Sequence, residues 1–379
     1  MMNGKYGGTQ LFNPMCTGNA SIGDQQLRLQ SDENARGGAA AIDGHFAYFG
    51  SGDRDASLRV YNTLTGTTRS AAPMTQWRRY YGMTIVDHDV LVCGGWRSNS
   101  ELLPYCELYT PHNNIWNTYA PLPVATAGHV MLTLSQCPDS GRPFVFGGSN
   151  GDREVVDTVY TCINNTDWRE RAPMPQALAT HAGAQLDQYI AMVCGGRNEH
   201  DKVESACYLY NATEDVWTVM PSMHKERRAH GMTVYKGRVY VYGGYSRHAD
   251  DDTAMLSSVE WRRLLDVIGE WHVHSERLHT ADAFFASVPL PFEHQNLPTE
   301  NKRDRIAELK RLKCEQGVRL FAHYSHEYRS LRKCKSECDL TQNAVHSRTP
   351  AKLYKSVTCT IIHPLVSVRK RRRVSVLAY

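Results

Sequence analysis

Apolar residues in this chain come in short strand-length runs that alternate with turn signals. Ala39-Ala40-Ala41-Ile42, Met83-Thr84-Ile85-Val86 and Met232-Thr233-Val234-Tyr235 each read as a first strand. A tight turn follows, such as Asp43-Gly44 or Lys236-Gly237, where glycine supplies the positive φ of a hairpin. A second strand rich in β-branched and aromatic residues comes next, as in Val239-Tyr240-Val241-Tyr242.

That second strand ends in a glycine pair at Gly94-Gly95, Gly147-Gly148, Gly195-Gly196 and Gly243-Gly244, spaced 53, 48 and 48 residues apart. A third strand brings a tyrosine, Tyr109, Tyr160 or Tyr210, and a tryptophan follows at Trp116, Trp168 or Trp217. Proline turns at Pro73, Pro121, Pro173 and Pro221 close the units. A period near 50 with four short strands per unit predicts radial repetition. Glycine pairs let a backbone bend and another approach, and the aromatics fill the space between units. The first unit departs, with Ser51 inside its glycine pair and Thr68 in place of tryptophan, and the fifth has Trp261 and Trp271 in place of the tyrosine and tryptophan.

These glycine pairs, tyrosines and tryptophans resemble the kelch family, most closely the kelch-like proteins, over residues 1–291. The fold expected is an all-β, six-bladed kelch β-propeller. Five blades are clear, near 36–74, 79–123, 127–175, 180–223 and 228–272. The sixth is expected to join strand 281–288 to N-terminal strands around Tyr6-Gly7-Gly8, Leu11-Phe12-Asn13-Pro14 and Gln26–Leu29. Kelch-like proteins usually carry BTB and BACK regions ahead of the propeller. None is read here, so a kelch-only product or a piece of a longer chain is expected.

The resemblance implies a partner-binding face built from loops after the glycine pairs and segments before the first strands. The matching residues are Arg36, Arg79, Tyr81, Trp96, Arg97, His181, Arg197, Asn198, Arg228, Tyr245 and Arg247, with Arg78, Tyr80, His129, Arg227 and His230 beside them. Arginine, tyrosine and tryptophan are the types enriched at binding hot spots. Several arginine forks around one mouth suit an acidic peptide. The alternative is that these arginines pair with local acids, Asp53, Asp55 or Asp201, and only hold loops.

Composition adds a charge split. Residues 299–379 hold 19 Lys/Arg against 7 Asp/Glu, a net of +12, which leaves the rest at −8. The division expected is a propeller over 1–291 and a basic C-terminal extension over 292–379, partly helical or disordered, with a charged helix across 300–316. Arg369-Lys370-Arg371-Arg372-Arg373 is a cluster of nuclear-import type, and Ser375 matches the form basophilic kinases favour.

No run is apolar enough to span a bilayer and no secretory leader is read, so the expected home is cytoplasmic, with nuclear entry through the basic cluster. In that setting the 11 cysteines are read as reduced thiols, and the N-x-S/T matches at Asn19, Asn164 and Asn211 as unglycosylated. Cys93, Cys106, Cys194 and Cys207 fall at matching repeat positions and read as small buried hydrophobes. The tail's Cys314, His323, His326, Cys334 and Cys338 are too loosely spaced for the usual zinc pairs.

No metal and no cofactor is expected. No motif assembles a nucleophile, base or metal, so the chain is read as a protein-interaction module and not an enzyme. By resemblance it recognises substrates for a cullin-RING ubiquitin ligase, or binds actin or another cytoskeletal protein. A sugar oxidase or epimerase is the third class. No membrane partner or specific nucleic acid is expected.

Overall fold

The computed structural model describes residues 39–52, 56–62, 67–98, 101–136, 141–152, 154–246, 255–264, 269–275 and 277–278, with Thr65 and the short pieces 2–3, 9–10 and 286–287. All lie within one compact unit, Met1–Lys335. Arg36, Arg247, the inferred strands at Tyr6–Gly8, Leu11–Pro14 and Gln26–Leu29, and the whole tail from 292 lie outside the described residues.

Five four-stranded antiparallel sheets follow one another in chain order. Blade 1 is Ala39–Asp43, Phe46–Gly50, Leu58–Asn62 and Thr67–Ser70, and blade 2 is Gly82–Val86, Asp89–Cys93, Cys106–Thr110 and Ile115–Tyr119. Blade 3 is Val130–Ser135, Gly141–Ser149, Val155–Ile163 and Asp167–Arg171. Blade 4 is Ala182–Gln185, Ile190–Cys194, Cys207–Asn211 and Val216–Met220, and blade 5 is Gly231–Tyr235, Arg238–Tyr242, Val259–Arg263 and His272–Val273. Each pairs with its chain neighbours only, so the sheets are meanders. Lys236 and Gly237 sit at φ 45° and 73°, the paired positive angles of a type I′ hairpin.

First strands of successive blades touch one another, which wraps the sheets around an axis as a β-propeller. Ala286–Ser287 touches both Gly231–Tyr235 and Ala39–Asp43, so the cycle of first strands closes. The same piece pairs with Met2–Asn3, which pairs in turn with Thr9–Gln10.

The apolar core lies between blades. Four clusters each draw on two adjacent sheets: Tyr48 and Val60 with Val90 and Tyr109; Leu91 and Tyr119 with Val145 and Cys162; Phe144 and Phe146 with Val193 and Tyr210; Met192 and Met220 with Val239 and Trp271. Second strands are buried along most of their length, and fourth strands face solvent.

Tryptophan carries the polar part of the same contact. Trp116, Trp168, Trp217 and Trp271 donate their indole N–H to the carbonyls of Ala72, Ala120, Ala172 and Pro221, each in the turn that closes the preceding unit, at 2.8–3.0 Å. In blades 2 and 4 the repeat tyrosine packs at a tilt against the tryptophan, with ring centroids 5.2 Å apart for Tyr109–Trp116 and 4.8 Å for Tyr210–Trp217. Tyr109 and Tyr210 also donate to Asn114 and Asp215, which accept the backbone N–H of Ala72 and Ala172. Trp271 therefore keeps the tryptophan's role in blade 5, while Thr68 in blade 1 is exposed.

The stitch is testable at Trp217→Phe, which keeps an aromatic ring but lacks the indole N–H and so orphans the Ala172 carbonyl. The expected loss is about 1–3 kcal/mol, read as a lower urea midpoint with an unchanged slope. An unchanged midpoint would remove this bond from the account.

Candidate functional site

The two loop sets expected to converge do so blade by blade. Isolated bridges join Arg79 to Trp96, Ala127 to Ser149, Ala179 to Arg197 and Arg228 to Tyr245. In each pair the first residue leads into a blade and the second follows its glycine pair. All eight paired glycines lie at positive φ, between 56° and 105°. Sequence alone explains the turn, but the structure adds a close approach. A Cβ on Gly94 would fall 2.8 Å from the His129 ring, and one on Gly195 2.7 Å from the His230 ring.

The residue after each lead-in position is held in the left-handed region: Tyr80 (φ 57°), Gly128 (65°), Thr180 (54°) and Ala229 (51°). Only one is glycine. These four are linked around the axis by backbone bonds of 2.7 Å, from Gly128 N–H to Tyr80 O, Thr180 N–H to Gly128 O and Ala229 N–H to Thr180 O. Left-handed non-glycine residues cost about 1–3 kcal/mol each and persist where surrounding structure over-determines them. Here the bonded arc does so.

Several residues expected to contact a partner are instead buried, which corrects the reading. Tyr81 is 4% exposed and donates its hydroxyl to the Ser51 carbonyl at 3.0 Å. His181 takes the equivalent position in blade 4, as His129 and His230 do in blades 3 and 5; all three are buried against glycines of the pairs. Tyr245 is buried beneath Arg228, whose guanidinium lies 5.5 Å from its ring centroid. Asn198 is buried too: its amide donates to Glu204 at 2.8 Å and its carbonyl accepts the backbone N–H of His200 and Lys202. It braces a loop, as Asn150 does one blade earlier with Glu154.

Arg78 and Arg227 are fully buried as well. Arg78 donates to the carbonyls of Gly94 and Tyr105 and pairs with Glu107; Arg227 donates to Gly243 and Ser258 and pairs with Glu260 at 2.6 Å. The acids complete the brace by accepting from Thr75 and from the backbone of His224 and Lys225. Sequence reasoning missed these pairs, although the equal repeat phase of Arg78 with Arg227 and of Glu107 with Glu260 was a usable signal.

Of the rest, Arg97 is exposed, while Arg79, Trp96, Arg197 and Arg228 are half-buried. Arg97 lies 3.3 Å from Glu101 and Arg197 3.4 Å from Asp201, so part of the local-acid alternative holds. Such exposed pairs are worth little. Burial pushes the Arg228 guanidinium below its ordinary value; Asp201 opposes this, and neighbouring Arg197 adds to it. Arg79 carries the same charge at the equivalent position of blade 2, and its guanidinium lies 5.8 Å from the Tyr80 ring centroid. Blades 3 and 4 have alanines there, Ala127 and Ala179. Among the described residues no cluster of His, Cys, Asp and Glu is arranged to hold a metal.

The cysteine reading needs a second correction. Cys93 is bonded to Cys106 and Cys194 to Cys207. They are buried as expected but not reduced. Each pair lies directly opposite on adjacent antiparallel strands with Cα atoms 4.2 Å apart, so the register itself brings the sulfurs together. The shared 13-residue separation was the signal in the sequence.

The family model of the Attractin/LZTR1 beta-propeller matches residues 55–254. The chain belongs to this family. It is a kelch-type propeller of the protein-interaction kind. It is similar to Kelch-like protein 36 of Rattus norvegicus, 27% identical over 46% of the chain and 28% of that protein, and to Alpha-scruin of Limulus polyphemus, 27% identical over 38% of the chain and 16% of that protein. The chain thus spans under a third of these curated relatives. Among solved structures it is similar to YjhT, with a TM-score of 0.57 at 15% identity over 66% of the chain and 86% of that protein, a likeness of fold alone.

The buried histidines give this propeller a defined acid response. Burial is the main cause that lowers His129 to about 4 and His181 to about 3 from 6.5, with Arg78 and His129 respectively adding to it; His230 is lowered by burial, Arg227 and His181. Below pH 6.5 the unfolded chain binds protons that the folded chain refuses, so stability falls from there down to about pH 4 for His129 and about pH 3 for His181. The slope is about 1.4 kcal/mol per pH unit per histidine. Melting curves from pH 7 to 4 should show a steeper loss for the native protein than for His181→Gln. Parallel slopes would contradict this.

Proposed function

We propose that the propeller captures a protein partner through an acidic segment, read at the mouth of the axis by Arg79, Arg197 and Arg228, with Trp96 and Arg97 on the flank. The observation that carries this reading is the state of Arg228. It is partly desolvated, leans on Tyr245 and has a second cation, Arg197, beside it, with Asp201 offsetting part of the charge. A carboxylate brought to that point gains a charge-assisted bond and relieves the repulsion. No catalytic step enters the proposal.

The kelch resemblance makes substrate recognition for a cullin-RING ubiquitin ligase the first assignment. In this reading, contact with the cullin is made by BTB and BACK regions in a longer form of the chain or in a partner chain. A scaffold that binds actin or another cytoskeletal protein is the second reading. Co-sedimentation with filaments separates it from capture of a cullin. The short sheet of Ala286–Ser287, Met2–Asn3 and Thr9–Gln10 is the sixth blade in this proposal, and residues 292–379 form a basic extension that directs a cytoplasmic protein to the nucleus.

An array of Asp/Glu-rich peptides, probed with the full chain, tests the face. Arg79→Ala with Arg228→Ala should lower affinity at least tenfold, weaken its salt dependence and leave the melting temperature within a few degrees. Undiminished binding by the double variant would overturn the assignment.

A further inference from the structure

The two disulfides occupy the same place in alternate blades. Each joins the residue before the glycine pair to its cross-strand partner in the third strand. Blade 3 has Phe146 opposite Val159 there, and blade 5 has Tyr242 opposite Val259. Between the bonded cysteines run residues 94–105 and 195–206. These are the face loops of blades 2 and 4, carrying Trp96 and Arg97 in one and Arg197, Asn198 and Asp201 in the other. Each disulfide therefore closes the neck of a binding loop. Beyond it the neck is held by backbone bonds: Gly94 N–H to Tyr105 O at 3.2 Å and Leu103 N–H to Gly95 O at 2.9 Å in blade 2, and Gly195 N–H to Ala206 O and Glu204 N–H to Gly196 O, both at 2.9 Å, in blade 4.

We propose that Cys93–Cys106 and Cys194–Cys207 are a redox clamp on the partner-binding face. A dithiol reduces each bond by thiol–disulfide exchange. Two electrons and two protons pass to the protein, the S–S bond becomes two thiols, and the dithiol becomes its own disulfide. Oxidation runs the same exchange backwards. With the cross-link in place the loop's open conformations are excluded; without it they return. The cysteines are 0–1% exposed, so a reductant reaches them only when a neck opens. A ligand lying across the loops holds the necks shut, and by reciprocity the oxidised form holds the ligand more tightly. In the cytoplasmic setting proposed above, disulfides are characteristically transient and redox-sensing, which suits a clamp better than a permanent staple. The effect on binding rests on the acidic-peptide reading of the face; the effect on the loops does not.

The test uses the full chain, air-oxidised or treated with dithiothreitol, with three readouts. Alkylation under denaturing conditions and intact mass count thiols. Amide hydrogen exchange follows loops 94–105 and 195–206, with 149–156 of blade 3 as the internal control. A fluorescent poly-glutamate peptide reports binding. Four thiols should appear only after reduction, exchange in the two clamped loops should rise about tenfold while the control stays fixed, and peptide affinity should fall several-fold. Cys93→Val with Cys106→Val, a pairing like that of blade 3, should give fast exchange in its own loop with or without dithiothreitol. Alkylation of all four cysteines before reduction, or equal loop exchange in both states, overturns the clamp. If the loops respond and the peptide never binds, the clamp stands and the acidic-peptide reading falls.

Discussion

A four-stranded meander has two faces and no way to bury either alone. In this protein the debt is settled between neighbours. Four clusters of the core straddle two blades, and four tryptophans reach back to a carbonyl in the preceding unit. The indole suits the job because it offers a large flat surface and one donor that must find a partner once buried. Removing a tryptophan thus loosens two blades, and the arrangement of the face depends on their angle. The loops at the mouth inherit their positions from contacts made near the rim.

That contact is also why the fold was legible. Its parts recur at fixed offsets: the glycine pair, the tyrosine, the tryptophan about seven residues later. A repeat leaves its geometry in the sequence whenever the same packing problem is solved several times. Even the stretched fifth unit was readable, since its Trp271, though later in the unit, keeps the bond to Pro221. The face was read less well for the same reason. Repeat phase places Tyr81, His129, His181 and His230 at one position, but it does not say which way a side chain points. Rings there point into the gap that the glycine pairs leave open, and a ring that fills a gap between backbones is not available to a partner.

Cysteine shows the opposite limit. Matching phase correctly indicated burial, yet burial and bonding are separate questions. Whether two buried cysteines pair depends on cross-strand register, and register follows from where the glycine pair breaks the ladder. Cys93 faces Cys106 and Cys194 faces Cys207 because each is the last residue before that break and its opposite number. The compartment argument that favoured free thiols was about the environment and had no access to that geometry.

The arc of left-handed residues ties these observations together. Tyr80, Thr180 and Ala229 accept an unfavourable backbone conformation, and the return is a chain of bonds that fixes four lead-in segments relative to one another. Immediately before them stand Arg79, Ala127, Ala179 and Arg228, so the strained positions set the direction of the two arginines and of the smaller residues between them. The buried Arg78–Glu107 and Arg227–Glu260 pairs sit one residue further back, in the same two blades that present an arginine. Buried pairs of this kind are weak sources of stability. Among the described residues they occur where an arginine follows at the face, which is better explained by orientation: each holds its lead-in turn to the third strand of its own blade, so the arginine that follows is presented from a fixed base.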